Sequence, residues 1–316
     1  MLSTSYANTL PYAARGFTVS YETPKSEPAL FLHGDRAYDH LLLLPTRLKT
    51  LGPSLAPSII LDFVKQSGNL LLALSSNTPT PTTLVSLLLE LDIHLSPDRN
   101  SLVVDHFNHD ITSASEQHDV LLLTHPAPLR SDVKNYFSGD GVLALPHSVG
   151  QVLGNTSPLL APILKAPSTA YSYNPKEEAD SSEEPWATGN QLSLISSMQS
   201  RNSARITIVG SSEMLEDAWF AAEVQASGSG DQSPGPKVKT ANREFAKKVS
   251  GWTFQEIGVL KVGRIAHALN GGDDAHSPVN ATQIDSVSQR VGAAMELDRK
   301  IYRIKNDVVS TFHLYQ

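Results

Sequence analysis

Apolar residues fall in short runs that alternate with helically spaced stretches, and the segment from Ala204 to Phe220 sets the pattern. Ile206, Ile208 and Val209 are β-branched residues that suit a strand covered on both faces, the usual state inside a parallel sheet. Gly210 ends the run, at a point where backbone angles closed to other residues are useful. Ser211 and Ser212 then stand where a helix would be capped, and Leu215, Ala218, Trp219, Ala222 and Ala226 continue at helical spacing. The stretch predicts strand, tight turn and helix, the repeating unit of an α/β core.

The same rhythm extends along the chain. Phe17 to Tyr21 and Leu41 to Leu44 read as strands, the second buried by composition, separated by a loop marked by Pro24, Pro28 and Gly34. Ser58 to Gln66 carries Ile59, Ile60, Phe63 and Val64 at helical spacing and ends at Gly68-Asn69 before a strand at Leu70 to Leu74. Thr82 to Leu91 predicts a second helix. Further strands are expected at Leu102 to Val104, Val120 to Thr124, Val142 to Leu145, Thr169 to Tyr173 and Gln191 to Met198, all joining Arg205 to Val209 in one sheet. Lys176 to Glu184 and Ser227 to Pro236 have loop composition. Phe245, Val249, Trp252 and Phe254 mark another helix, and Val259 to Val262 a strand that closes the unit. Periodicity is lost from Ala266 to Asp285. Residues 1–265 therefore form the α/β domain, 266–300 a linker, and 301–316 the start of a β-rich domain, with strands at Ile301 to Ile304 and Val308 to Leu314.

Composition narrows the chemistry. The 316 residues, 40% of them hydrophobic, suffice for a sizeable core, while a formal charge of −7 without a Lys/Arg cluster argues against a nucleic-acid surface. Cysteine is absent, which removes disulfides, thiolate nucleophiles and cysteine-held zinc. Residues 1–16 have no secretory-signal pattern, and no apolar run approaches the ~20 residues of a membrane helix, so the chain as given reads as soluble.

The densest polar constellation is Asp105-His106-Phe107-Asn108-His109-Asp110, directly after a predicted strand. Two imidazoles and two carboxylates are competent metal ligands, but on a loop that spacing does not make them converge, and the plainer reading is a loop whose side chains bond local backbone. A serine-hydrolase reading of Ser211 or Ser212 lacks the G-x-S-x-G elbow, and neither nucleotide-binding glycine motif occurs. A phosphate cradle at Gly210-Ser211-Ser212 is opposed by Glu213, Glu216 and Asp217, which would repel an anion. Asn155-Thr156-Ser157 and Asn280-Ala281-Thr282 are N-glycosylation sequons, and Asn280, in the more loop-like stretch, is the better acceptor.

Taken in order, several segments resemble the non-catalytic oligosaccharyltransferase subunit family, the DDOST subunit of animals and its Wbp counterpart in fungi. They are Arg15-Gly16-Phe17, Tyr38-Asp39-His40 leading to Pro45, LDFVKQSGNLLLALSS from Leu61, Val103-Val104-Asp105-His106, STAYSYNP from Ser168, Ala204 to Asp217, and WTFQEIGVLKVG from Trp252. Ile301 to Asp307 is similar to the start of the family's β-rich second domain. The resemblance implies a Rossmann-like, glutamine-amidotransferase-like layered sheet. It implies a role in the endoplasmic reticulum complex that moves a preassembled glycan from dolichyl diphosphate to asparagine in Asn-X-Ser/Thr, with other oligosaccharyltransferase subunits as partners and no cofactor. Catalysis there belongs to a subunit with a Trp-Trp-Asp signature, whereas Trp186, Trp219 and Trp252 each stand alone. The family opens with a signal peptide and a first core strand before any counterpart of Tyr12 to Gly16, and it closes in a membrane helix. The chain is therefore expected to be an incomplete lumenal portion that folds poorly, with an apolar edge at Leu41 to Leu44 and Leu70 to Leu74 where that strand belongs, and with membrane attachment supplied by the parent protein. The competing classes are a hydrolase- or amidotransferase-like enzyme and a glycan- or partner-binding module with Asp105, His106, His109, Tyr171 and Tyr173 as its contact surface.

Overall fold

The computed structural model describes residues 13–23, 28–127, 135–175, 184–227, 234–259, 261–269 and 308–315. The chain divides into two units, Met1–Ile257 and Gly258–Gln316. After a 3-10 turn at Ala13–Arg15, the first unit has a small hairpin of β1 (Phe31–Leu32) and β2 (Asp35–Arg36). Next come β3 (His40–Leu43), α1 (Pro57–Lys65), β4 (Asn69–Ala73), α2 (Thr82–Glu90), β5 (Ile93–Leu95), β6 (Leu102–Val104), β7 (Val120–Thr124) and β8 (Val142–Pro146). They are followed by β9 (Gln151–Leu153), β10 (Leu160–Lys165), β11 (Tyr171–Tyr173), β12 (Leu192–Gln199), β13 (Arg205–Val209), α3 (Asp217–Ala221), β14 (Glu223–Gln225), β15 (Lys237–Lys239) and α4 (Asn242–Thr253). In the second unit β16 (Lys261–Leu269) pairs antiparallel with β17 (Val308–Tyr315).

The main sheet runs β3-β4-β13-β12-β9-β5, with β10 also on β12. β3, β4 and β13 are mutually parallel, and β12 joins β13 antiparallel, so the sheet is mixed and the all-parallel surroundings expected for Ile206 to Val209 hold on one side only. Alternation along β4 sorts the core. Leu71 and Ala73 face a cluster containing Val209, Phe245 and Val249 of α4, while Leu70, Leu72 and Leu74 face Ile60, Phe63, Leu84 and Leu87 of α1 and α2. Helices thus cover both faces. α1 forms because Ile60, Phe63 and Val64 fall on one side and Pro57 opens it; it ends where Gly68 N–H bonds the Phe63 carbonyl.

Several expectations change. Phe17 to Tyr21, though it alternates like a strand, forms no ladder among the described residues. Leu41 to Leu44 is partly buried, because β3 lies at the end of the sheet. Leu41 pairs directly with Leu70, so no strand is missing between these two runs, and β4 is interior. The strands do not form one sheet: β6 pairs with β11 and β7 with β8 as separate ladders. The helix after Gly210 breaks into a 3-10 turn at Glu213–Leu215 and the short α3, because Thr240 takes the carbonyls of Trp219 and Ala222 and draws the chain into the β14–β15 hairpin. Ser212 makes no side-chain cap. Gly210 is also there for closeness rather than for special angles, since a Cβ would lie 2.4 Å from the Val149 carbonyl and 2.7 Å from that of Leu194. The strand expected at Val259 to Val262 pairs with β17 instead of closing the first unit. Short strands β5, β9 and β10 were not foreseen; β10 tolerates Pro162 beside a register shift. Ile301 to Ile304, Asn280 and most of the two polar loops lie outside the described residues. Among the described residues no helix is long and apolar enough to cross a membrane.

Candidate functional site

Three polar clusters draw on the residues singled out above. The first is the loop after β6. Asp105 is fully buried and its carboxylate accepts from the backbone N–H of Phe107 (2.8 Å) and Asn108 (3.2 Å), the Asn108 amide (2.9 Å) and the Thr169 hydroxyl (2.7 Å). Burial pushes this carboxyl up, but the four donors outweigh it and hold it below the usual carboxylate range. The turn they fix projects His106 and Phe107 outward. His106 Nδ1 lies 2.7 Å from His118 Nδ1 and its Nε2 lies 2.9 Å from the Tyr171 hydroxyl, while His118 stacks on His109 at 3.8 Å between ring centroids. In the His106–His118 contact one ring nitrogen donates and the other accepts. Burial, then the neighbouring His118, lowers the affinity of His109 for a proton, and burial raises that of Tyr171.

Sequence reasoning named His106, His109 and Tyr171 but missed His118, whose signal was its place just before β7. Tyr173 sits two residues beyond Tyr171 on β11 and, among the described residues, makes no hydrogen bond to the imidazoles. No group of three or more His, Asp or Glu side chains among the described residues is arranged to hold a metal ion. Phe107, 58% exposed, and Ile111 flank the loop and give it the character of a contact surface.

The second cluster lies at the carboxyl ends of β4, β8 and β13, where ligands of open α/β sheets bind. His147 Nδ1 is 3.0 Å from Glu213 Oε2, and its Nε2 is 3.5 Å from Asp119 Oδ2. Asn77 donates to Glu213 at 2.7 Å, and Ser115 holds Asp119 through its N–H and hydroxyl. The hydrogen bond to Glu213 raises the His147 pKa against the opposing cost of burial, favouring an imidazolium that ties four loops together. The Ser211 hydroxyl is buried and donates to the Pro146 carbonyl at 2.5 Å. His147 is engaged by carboxylates, so this serine and this histidine do not form a nucleophile–base pair.

The third cluster is at the opposite end, where β3, β4 and β13 begin. Asn69 Nδ2 lies 3.1 Å from His40 Nδ1, while Asn69 Oδ1 accepts from the Arg205 backbone N–H (2.8 Å) and from Gln255 (3.1 Å). Arg205 donates to the carbonyls of Trp252 (2.6 Å) and Ile257 (2.8 Å), and its guanidinium sits 4.7 Å over the Trp252 ring. Arg15 joins Glu256 and Ser250 beside them, and Phe17 packs edge-on against His40 and Phe254. Segments distant in sequence that carried the family resemblance therefore meet at one brace, and their side chains bond one another.

The fold is thus a mixed α/β domain braced at both sheet ends by side chains that bond one another. The particular family follows from comparison: the chain matches the family described as OST48, N-terminal domain, over residues 5–256, and it belongs to that family. It is 35% identical over 261 residues to the dolichyl-diphosphooligosaccharide–protein glycosyltransferase subunit wbp1 of Schizosaccharomyces pombe, covering 81% of this chain and 55% of that one. It is 33% identical over 249 residues to the 48 kDa subunit of the same enzyme from Caenorhabditis elegans, covering 78% and 53%. With the Arabidopsis thaliana 48 kDa subunit the identity is 29% over 312 residues, 98% of this chain and 63% of the relative. The chain thus spans little more than half the length of these relatives.

Proposed function

We propose that this chain is the α/β portion of a non-catalytic subunit of the oligosaccharyltransferase complex, working on the lumenal side of the endoplasmic reticulum membrane beside the subunits that transfer a glycan to Asn-X-Ser/Thr. The observation that carries the reading is the family match across residues 5–256, with relatives named as subunits of that glycosyltransferase. The strand–helix–strand unit β3–α1–β4 and helices on both faces support a Rossmann-like, amidotransferase-like reading of the sheet. The domain reading is an α/β domain followed by a β-rich continuation, with the boundary moved from the expected residue 265 to near Ile257, because β16 (Lys261–Leu269) pairs with β17 in the second unit. Of the expected contact residues, His106, Tyr171 and Tyr173 reach the surface and serve there as contacts, while Asp105 and His109 are buried and hold the loop from beneath, the Asp105 carboxylate being spent on its own turn.

The test is glycan transfer by complexes assembled with alanine at Asp105, His106, His109, Ser211 or Ser212, each checked for folding. Rates should stay within a few-fold of the parent. A loss of about 1000-fold from one folded variant, the scale of deleting a catalytic group, would sink the reading.

A further inference from the structure

The loop between β9 and β10 carries the sequon Asn155-Thr156-Ser157, and contacts on both sides tie its backbone down. β5 pairs with β9, Ile93 opposite Leu153, which brings Asp92 beside Gly154. Asp92 takes a left-handed backbone with φ of 63°; its carbonyl accepts the Gly154 N–H at 2.8 Å, and its Oδ2 accepts the Thr156 N–H at 2.9 Å. The bond from the Thr156 N–H is the main reason this carboxyl stays below the usual carboxylate range. His94 Nε2 lies 3.3 Å from the other oxygen, Oδ1. Gly154 leaves the carboxyl group its room, since a Cβ there would overlap it. Beyond the sequon, the Ser157 hydroxyl accepts the Leu159 N–H at 3.3 Å and the Ser157 carbonyl accepts the Leu160 N–H at 3.3 Å. Asn155 itself is exposed, and among the described residues its side-chain amide makes no hydrogen bond.

We propose that Asn155 is an N-glycosylation site open only while the chain folds, and that Asp92 closes it by clasping the sequon backbone. Transfer joins Asn155 Nδ2 to the anomeric carbon of the glycan. The amide gives up one proton, and the bond from that carbon to the dolichyl diphosphate oxygen breaks, the diphosphate keeping the electron pair. An enzyme that holds the asparagine side chain and the hydroxyl two residues on at the same time needs all three residues free to fit its cleft. Here the middle N–H belongs to Asp92 and the Ser157 hydroxyl to a turn. Asp92 lies 64 positions before Thr156, so the clasp forms only once β5 and β9 have paired. Before that the sequon is unpaired chain; afterwards, presenting it requires local opening of the loop. A glycan already in place sits on an exposed side chain and leaves the clasped N–H groups of Gly154 and Thr156 untouched, so the modified chain closes the same loop.

The chain meets the transferase in the cell if the lumenal reading above holds; supplying enzyme and donor directly keeps failure of the clasp distinct from failure of that reading. A solubilised oligosaccharyltransferase preparation and a dolichyl-diphosphate glycan are given to a peptide of residues 151–160, to the folded full chain and to folded variants of it, the full chains all carrying Asn280→Gln so that the mass shift reports Asn155. The peptide should be modified, and the folded parent at least about tenfold more slowly, the scale of breaking a hydrogen bond to a charged group. Asp92→Gly keeps the left-handed backbone and removes the carboxylate, so it should return most of the lost rate while the β4 and β13 amides stay protected from exchange. Asp92→Asn tolerates the same backbone and keeps an acceptor oxygen, so it should stay within about threefold of the parent. Gly154→Ala, whose Cβ pushes the same carboxylate aside, is the second route if Asp92→Gly loses the fold. A folded parent modified as fast as the peptide, folded release variants no faster than the parent, an equal gain from Asp92→Asn, or a peptide that is itself refused would each overturn the proposal.

Discussion

Replacing His147 with Asn tests whether the loops at the carboxyl ends of the strands are held by an ion cluster. Asn is the right probe because His147 has φ of 45°, a left-handed backbone that Asn tolerates, so the change removes the imidazole without adding strain. The lost contacts are those to Glu213 and Asp119, and Asp119 is only 6% exposed. Hydrogen bonds to charged groups are worth about 1.5–3 kcal/mol each, and the longer Asp119 contact lies at the low end or below, so a loss of about 2–3 kcal/mol is expected. For a unit of this size that corresponds to roughly 5–10 °C in Tm. The sign with pH follows from the raised pKa. The imidazolium contribution is complete below the unfolded-state value of about 6.5 and is lost as pH rises through the higher folded-state value. The gap between parent and variant, followed by thermal unfolding from mildly acidic to alkaline pH, should therefore be widest at the acid end and shrink upward. A gap that is constant, or that widens with pH, would refute the ion cluster.

Gly210→Ala should cost more than about 3 kcal/mol or prevent folding, because its Cβ would strike two backbone carbonyls; a soluble variant with parental denaturation midpoint would disprove the close approach. Arg205→Met should destabilise by about 3–5 kcal/mol in urea, since it leaves the Trp252 and Ile257 carbonyls without their charged donor and removes the contact with the Trp252 ring. When the chain is directed into the secretory path, both sequons should be occupied, with the larger endoglycosidase shift lost in Asn280→Gln; Asn155 is exposed in the bend between β9 and β10 and should be the lesser site.

Much of the fold was legible where a run of apolar residues had one structural outcome. Leu70 to Leu74 and Arg205 to Val209 were bounded by turn residues on both sides and buried on both faces, so composition alone placed them. The helix after Gly210 was misread because its periodic residues could not reveal that Thr240, twenty-one positions beyond Trp219, would claim the carbonyls needed to extend it. Phe17 to Tyr21 had the alternation of a strand, but pairing is settled by a neighbour that local pattern does not specify. The site was legible in part. Asp105 as a turn-former follows from its short acceptor side chain, whereas the convergence of His118 and Tyr171 on His106 depends on β6 lying between β7 and β11 elements brought together by the fold.

The role in a complex is tested most directly by tagging the full-length parent protein, isolating it in mild detergent and identifying what comes with it. The account predicts stoichiometric recovery of the oligosaccharyltransferase subunits, including the one bearing the Trp-Trp-Asp signature, and glycan transfer in the isolate. A parent protein recovered alone, or a complex isolated from the same cells at full activity without it, would contradict the account.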